Sequence, residues 1–236
     1  QKLLLIPKIN IKHSFSNAHF IRYNYQMKVI FPTSENLIPN VILRNYRTLA
    51  DGNPNLSNAL YHDFSINYFR HSTWNNYNLT VNLNYSRKID EFRSNVVTDP
   101  SGIQQLTTFN NLPEDNFTSL IRWQLNRGKL SFTLQNKSLL AYFQNSINEL
   151  EIDNQSFNSQ NEISLQYDLS YTGSITTGML VNFNILSQNE QQFSASKYSP
   201  YLEYKNQIKK KLKLGLQFNY NIFSSDANTE NASYFN

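Results

Sequence analysis

The sequence predicts an all-β fold: an antiparallel transmembrane β-barrel of about ten up-and-down strands. Three observations predict it. Apolar and polar side chains alternate with period two along most of the chain. Several alternating runs reach about ten to thirteen residues, longer than the usual strand. The connections between them alternate between short turns and long loops.

Taken in order, the first strand is expected near residues 3–15, ending at the short turn Ser16-Asn17-Ala18-His19. The second is clear: Ile21, Tyr23, Tyr25, Met27, Val29 and Phe31 alternate with Arg22, Asn24, Gln26, Lys28 and Ile30. A long loop follows from Pro32 to Tyr61. The third strand, near 62–71, sets Phe64, Ile66 and Tyr68 on one face and turns at Ser72. The fourth alternates Tyr77, Leu79, Val81, Leu83 and Tyr85 with Asn78, Thr80, Asn82, Asn84 and Ser86. A second long loop spans Asp90 to Asn116. Strands near 117–126 and 129–143 flank the turn Asn126-Arg127-Gly128, and a third loop is expected from about Gln144 to Gln160. Ile163, Leu165, Tyr167, Leu169 and Tyr171 then alternate with Ser164, Gln166, Asp168 and Ser170 up to the turn at Thr172. A strand near 175–187, a loop near Ser187–Ser196 and a strand near 197–208 lead to a short turn at about Asn206 to Lys210. The last strand, Lys211 to Phe223, puts Leu212, Leu214, Leu216, Phe218, Tyr220 and Ile222 on one face. No stretch has helical periodicity.

Composition supports a membrane setting. Aromatic residues are 14% and charged residues only 16%, against about a quarter in ordinary soluble domains. Mean hydropathy is −0.54 because asparagine, glutamine, serine and threonine fill the polar face. Strands in lipid must close into a barrel, since lipid cannot satisfy free backbone groups. A barrel of the bacterial outer membrane has an apolar outer face, a polar lumen, short periplasmic turns and long extracellular loops. Phe15, Phe31, Tyr77, Tyr198 and Phe223 fall near expected strand ends, where interfacial girdles belong. No cysteine is present, which excludes disulfides and thiolate metal sites. Net charge is +4, and the one basic run, Lys209-Lys210-Lys211, reads as a solvated turn, so no nucleic-acid partner is expected. No segment approaches about eighteen consecutive apolar residues. Leu3–Ile6 is too short for a signal peptide, so the chain is expected to be a mature fragment, one partial barrel domain over residues 1–236.

The stretch Ala50–Leu60, "ADGNPNLSNAL", stands out in a chain with six glycines and seven prolines. Gly52 can take positive φ, Pro54 fixes its own, and Asn53 and Asn55 tolerate tight turns. Gly52, Asn53, Pro54 and Asn55 are therefore expected to turn the chain from a long loop into the next strand. In order, Pro32-Thr33, Leu37-Ile38-Pro39 and Gly52-Asn53-Pro54-Asn55-Leu56 resemble the TonB-dependent receptor barrels, the outer-membrane β-barrel family of Bacteroidetes type. About fifty residues match closely, and the strand rhythm extends the likeness over the rest. The family's Lys-Pro-Glu is replaced here by Ser57-Asn58-Ala59, and a plug domain, a TonB box and a terminal aromatic carboxylate are not found. The resemblance implies the C-terminal part of a barrel of about 22 strands. It also implies energised uptake of a large nutrient: a glycan, peptide, siderophore or cobalamin. The implied partners are outer-membrane lipid and lipopolysaccharide, a plug domain, a TonB-type energy-coupling protein and a surface lipoprotein.

Arg22, Lys28, Arg122, Gln124, Lys213 and Gln217 are expected to line the lumen, where solvation of a wet interior is the simplest role. Arg44, Tyr46, Arg47, Asp51, Phe92 and Arg93 are candidate ligand contacts on the outer loops, with aromatic rings able to stack on a sugar or cofactor ring. His13, His19, His62 and His71 lack metal-ligand spacing, no catalytic constellation stands out, and no cofactor is expected. The expectation is a non-enzymatic receptor or transporter. A non-transporting outer-membrane scaffold or assembly component, and a soluble all-β binding module, are the alternatives.

Overall fold

The computed structural model describes residues 5–110, 113–148, 150–189, 191–208, 212–225 and 228–235. Residues 3 and 4 and the lysine run 209–211 lie outside them. In chain order the elements are β1 (Lys8–Ser16), β2 (His19–Ile30), α1 (Ser34–Leu37), β3 (Val41–Asn45), β4 (Thr48–Asp51), β5 (Ala59–Ser72), β6 (Tyr77–Ile89), β7 (Phe92–Thr98) and β8 (Gln104–Asn110), followed by β9 (Glu114–Arg127), β10 (Leu130–Ile147), β11 (Leu150–Asp168), β12 (Gly173–Gln188), β13 (Gln191–Ile208), β14 (Leu212–Ser225) and β15 (Asn228–Phe235). All fifteen strands join one sheet, whose antiparallel wall runs β1-β2-β5-β6-β9-β10-β11-β12-β13-β14-β15. The wall is open, with β1 and β15 at its edges.

Every expected strand is present, and three expectations are corrected. First, the loops expected at Gln144–Gln160 and Ser187–Ser196 are mostly strand. β10 and β11 stay in register up to Ile147↔Leu150, and β12 and β13 up to Gln188↔Gln191. Asn148 (φ 50°) and Asn189 (φ 41°) take the left-handed conformation that tight two-residue hairpins need. Second, one helical turn does form at α1, with Thr33 as its N-cap accepting from the Asn36 N–H at 3.4 Å. Third, the two remaining long loops each contain a hairpin, β3–β4 and β7–β8.

Register assigns the faces. Asn24, Ser65, Asn84 and Thr118 lie directly opposite one another across four strands, and Tyr25, Phe64, Tyr85 and Phe117 do so on the other face. Hydrogen bonds knit the polar row, with Asn24 donating to Ser65 at 2.9 Å and Asn84 to Thr118 at 3.1 Å. Ring contacts knit the apolar row, with Tyr25–Phe64 centroids 4.7 Å apart. Among the described residues, no second layer covers either face. Among the described residues only Ala59 and Ala141 are buried apolar side chains, while Phe218 is 64% exposed. A wall one sheet thick with an uncovered apolar face requires lipid on that side.

Two features break the simple alternation. Gly178 on β12 leaves room for the Tyr201 ring: a Cβ there would lie 2.6 Å from Tyr201 Cζ and 2.7 Å from the Ile163 carbonyl oxygen. Tyr201 crosses that gap from β13 to donate to Glu162 on β11 at 2.8 Å. On the apolar face, Asn136 and Ser138 of β10 sit opposite Asn161 and Ser159 of β11. They satisfy one another: Asn136 donates to Asn161 at 2.7 Å, Ser138 to Asn136 at 3.1 Å, and Asn161 to Ser159 at 3.1 Å. The outer face is therefore not uniformly apolar, and its polar patch carries its own partners, as polar groups facing lipid must. Phe223 is also corrected. It pairs with Lys197 on the polar face, and Lys197 Nζ lies 5.2 Å over its ring, so it is no part of an outward girdle. Tyr198 lies well inside β13 rather than near its end.

Candidate functional site

The end of the wall that carries the long connections is built around the glycine-proline turn. Gly52 does not take positive φ; the residue is small for a different reason. A Cβ on Gly52 would lie 2.1 Å from the Ile38 carbonyl oxygen. The segment after α1 therefore passes directly against the turn. The Asn53 N–H donates to the Asn36 carbonyl at 2.6 Å, and the Asn53 side chain accepts from the Asn55 N–H at 2.9 Å. Thr33, Ile38 and Gly52–Asn55, separated in sequence, thus form one folded unit. Asn110 secures it from β8, accepting from the Ser57 N–H at 2.7 Å and donating to the Asp90 carbonyl at 2.8 Å.

The two hairpins extend this unit into a small sheet. β4 pairs with β8 in parallel, β8 with β7, and β7 with the top of β10 in parallel, Asn95 opposite Ser146. Ser146 Oγ donates to Asn95 at 2.9 Å, and the Asn148 N–H to the Val96 carbonyl at 2.9 Å. The sheet is bolted to the wall by an ion network. Glu114, 7% exposed, accepts from Lys88 and Asn116 at 2.8 and 2.7 Å and from Arg93 of β7. Arg93 also lies over the Phe143 ring, 5.5 Å from its centroid. Beside it, Lys28 pairs with Asp63 at 2.5 Å.

The expected loop contacts separate into two groups. Arg93 is engaged by Glu114, Arg44 pairs with Glu35 at 2.8 Å, and Phe92 is half-buried opposite Asn110. Asp51 closes β4, partly covered between Val41 and Thr107. Tyr46 and Arg47 project from the β3–β4 turn, with Tyr46 82% exposed and the Arg47 guanidinium 5.3 Å over its ring. The expected lumen residues Arg22, Lys28, Arg122, Gln124, Lys213 and Gln217 all fall on the asparagine-rich face by register. Sequence reasoning missed Lys88 and Glu114. Both keep phase with the polar positions of their strands, Asn84 and Thr118, and that phase was the available signal.

The β7–β8 tip has one titrating element. Asp99 accepts from the Ser101 hydroxyl at 2.6 Å and from the Ser101 and Ile103 N–H groups at 2.8 and 2.9 Å. The Ser101 hydroxyl, then the Ile103 N–H, hold its carboxyl below the ordinary value of 3.8. A lowered folded pKa stabilises the turn above the unfolded value, and that stability is lost as pH falls through the folded one. Amide exchange at Ser101 and Ile103, corrected for intrinsic rate, is expected to stay slow at neutral pH and to accelerate only below pH 3.8. In Asp99→Asn this step disappears.

A single-layer antiparallel wall with a largely apolar face and an amide-lined face, and with folded hairpins among the connections at one end, fits the wall of an outer-membrane β-barrel. The chain belongs to the outer membrane protein beta-barrel family, whose model matches residues 2–236. It is accordingly a protein of the bacterial outer membrane, and the soluble-module alternative is set aside. Comparison with curated proteins and with solved structures finds no match.

Proposed function

We propose that the intact protein is an outer-membrane receptor for TonB-dependent uptake of a large nutrient of the glycan, peptide, siderophore or cobalamin class. The observation that carries this reading is the folded unit of Thr33, Ile38 and Gly52–Asn55, because Ile38 lies against Gly52 while Thr33 and Asn53 both bond Asn36. An amide-lined lumen and a structured mouth above it suit passage of a polar solute. Outer hairpins would capture the ligand. A plug domain within the barrel would then be displaced by a TonB-type energy-coupling protein. Lipopolysaccharide would face the apolar wall, and a surface lipoprotein is the candidate partner at the mouth. The protein would act without catalysis or cofactor. A non-transporting scaffold is the second reading.

Sequencing the intact gene and deleting it test the proposal together. The expected result is an encoded plug and TonB box, and loss of uptake of one of four fluorescent probes: a glycan, a peptide, a ferric siderophore or cobalamin. Unchanged uptake of all four, or a gene without a plug, would leave the scaffold reading in its place.

A further inference from the structure

One cross-strand row of the lumen face carries a distinctive charge pattern. Strand by strand it runs Lys12 opposite Arg22, then Asn67, Asn82 and Leu120, then Lys137, Gln160, Asn182 and Lys197. Four cations therefore share one row with amides and one leucine between them and no carboxylate among them. Among the described residues, none of the four has a carboxylate within ion-pair distance.

The lumen-facing carboxylates nearby have other partners, and Glu162 and Glu203 line one cavity with Lys197 without an ion pair to it. Asp63 holds Lys28, Glu114 holds Lys88 and Arg93, Glu203 holds Lys205, Glu162 accepts from Tyr201 and Asp168 accepts from Gln166. The row's cations rest instead on aromatic rings and neutral groups. Lys12 and Arg22 lie 4.6 and 6.0 Å from the Phe20 centroid, and Lys197 lies over Phe223. A ring orients a cation without neutralising it. Lys137 projects into a wall cavity of about 580 Å³ lined by Asn84, Thr118, Asn158, Asn182 and other uncharged residues, with no acidic side chain. At the usual strand spacing, Arg22 and Lys137 are about 19 Å apart, and Lys137 and Lys197 about 14 Å.

We propose that this row is an anion-binding belt, and that the solute the barrel handles is an oligomer bearing several sulfate, phosphate or carboxylate groups. Rings of Lys and Arg confer anion preference on pores, and unpaired charges in a wet channel are cancelled most favourably by a mobile polyanion. Separations of about 14–19 Å exceed the Debye length at physiological salt, so the cations act as separate points of contact and an oligomer engages more than one. This deepens the uptake reading and rests on it.

The test uses the intact protein purified from outer membranes in detergent. Calorimetry compares a sulfated tetrasaccharide with its unsulfated parent at low and at physiological salt. The expected result is at least about tenfold tighter binding of the sulfated probe, weakening as salt rises. That preference should vanish in Lys12→Gln/Arg22→Gln/Lys137→Gln/Lys197→Gln and persist in the charge-keeping Lys12→Arg/Arg22→Lys/Lys137→Arg/Lys197→Arg. Heat-modifiable gel migration reports that both variants are folded. Should the neutralised variant fail to fold, the single Lys137→Gln change is read instead, with a several-fold loss expected. Equal binding of the two probes, no binding of either, or a preference kept by folded neutralised protein would overturn the proposal. Uptake of the same probes by cells with and without the gene separates the two claims. A polyanion preference with unchanged uptake would overturn transport alone; lost uptake without the preference would overturn the belt alone.

Discussion

Replacing Gly52 by alanine is expected to unfold the glycine-proline unit at the mouth while leaving the wall intact. The new methyl would lie 2.1 Å from the Ile38 carbonyl oxygen and 3.0 Å from that of Glu35. Both obstacles are backbone, so no side-chain rotation relieves them. Either α1 moves away or the turn does, and the 2.6 Å bond from the Asn53 N–H to the Asn36 carbonyl is lost in both cases. Forcing extra volume into a filled site costs about 1–3 kcal/mol, and more where backbone must shift. Limited proteolysis of intact cells is expected to cut Gly52→Ala between residues 34 and 58, where the parent protein resists. Gly215→Ala is the matched control, since nothing lies within 4 Å of its Cβ position. Equal resistance of the two variants would mean that the Ile38 contact does not shape the mouth.

Glu114→Ala is expected to free the β7–β8 hairpin. One largely buried carboxylate holds Lys88, Asn116 and Arg93, and only Arg93 belongs to the hairpin. Its removal takes the carboxylate from Arg93, while Lys88 keeps Glu91 at 3.5 Å. The side chains of Lys88 and Arg93 are 25% and 30% exposed, so water compensates in part. A loss of about 1–3 kcal/mol is the appropriate scale for a broken charged hydrogen-bond network of this kind. Hydrogen exchange is expected to accelerate over 92–110 and to stay unchanged in β11 and β12. Glu35→Ala, which breaks only the exposed pair with Arg44, should have little effect on the same amides.

The wall was legible in the sequence because lipid outside and water inside impose opposite demands on alternate residues. Leu212–Ile222 and Tyr77–Ser86 state that pattern directly, and register places them as expected. Above the membrane both faces meet water, and the alternation fades. Glu151–Gln160 is strand, but its alternation is weak and it reads as loop. Its turn at Asn148 could have been found from the left-handed preference of asparagine, but asparagine is too common in this chain to mark a turn by itself. Gly52 shows a different limit. Its place in a turn is readable, but whether glycine serves positive φ or close approach depends on Ile38, fourteen residues earlier. The ion network depends on Arg93 and Glu114 meeting across a hairpin, which no local pattern encodes. The lumen row was half visible: Arg22 could be placed from its own strand, but its alignment with Lys12, Lys137 and Lys197 is a property of register.

The chain of strands β3-β4-β8-β7-β10 also has a mechanical meaning. A tug on the mouth directed along these strands loads their ladder bonds together, in shear. A tug across them opens the ladder one bond at a time. The roof of this barrel is therefore stiff to forces along its strands and soft to forces that peel it sideways, and its weakest seam is the two-residue junction of β7 with β10.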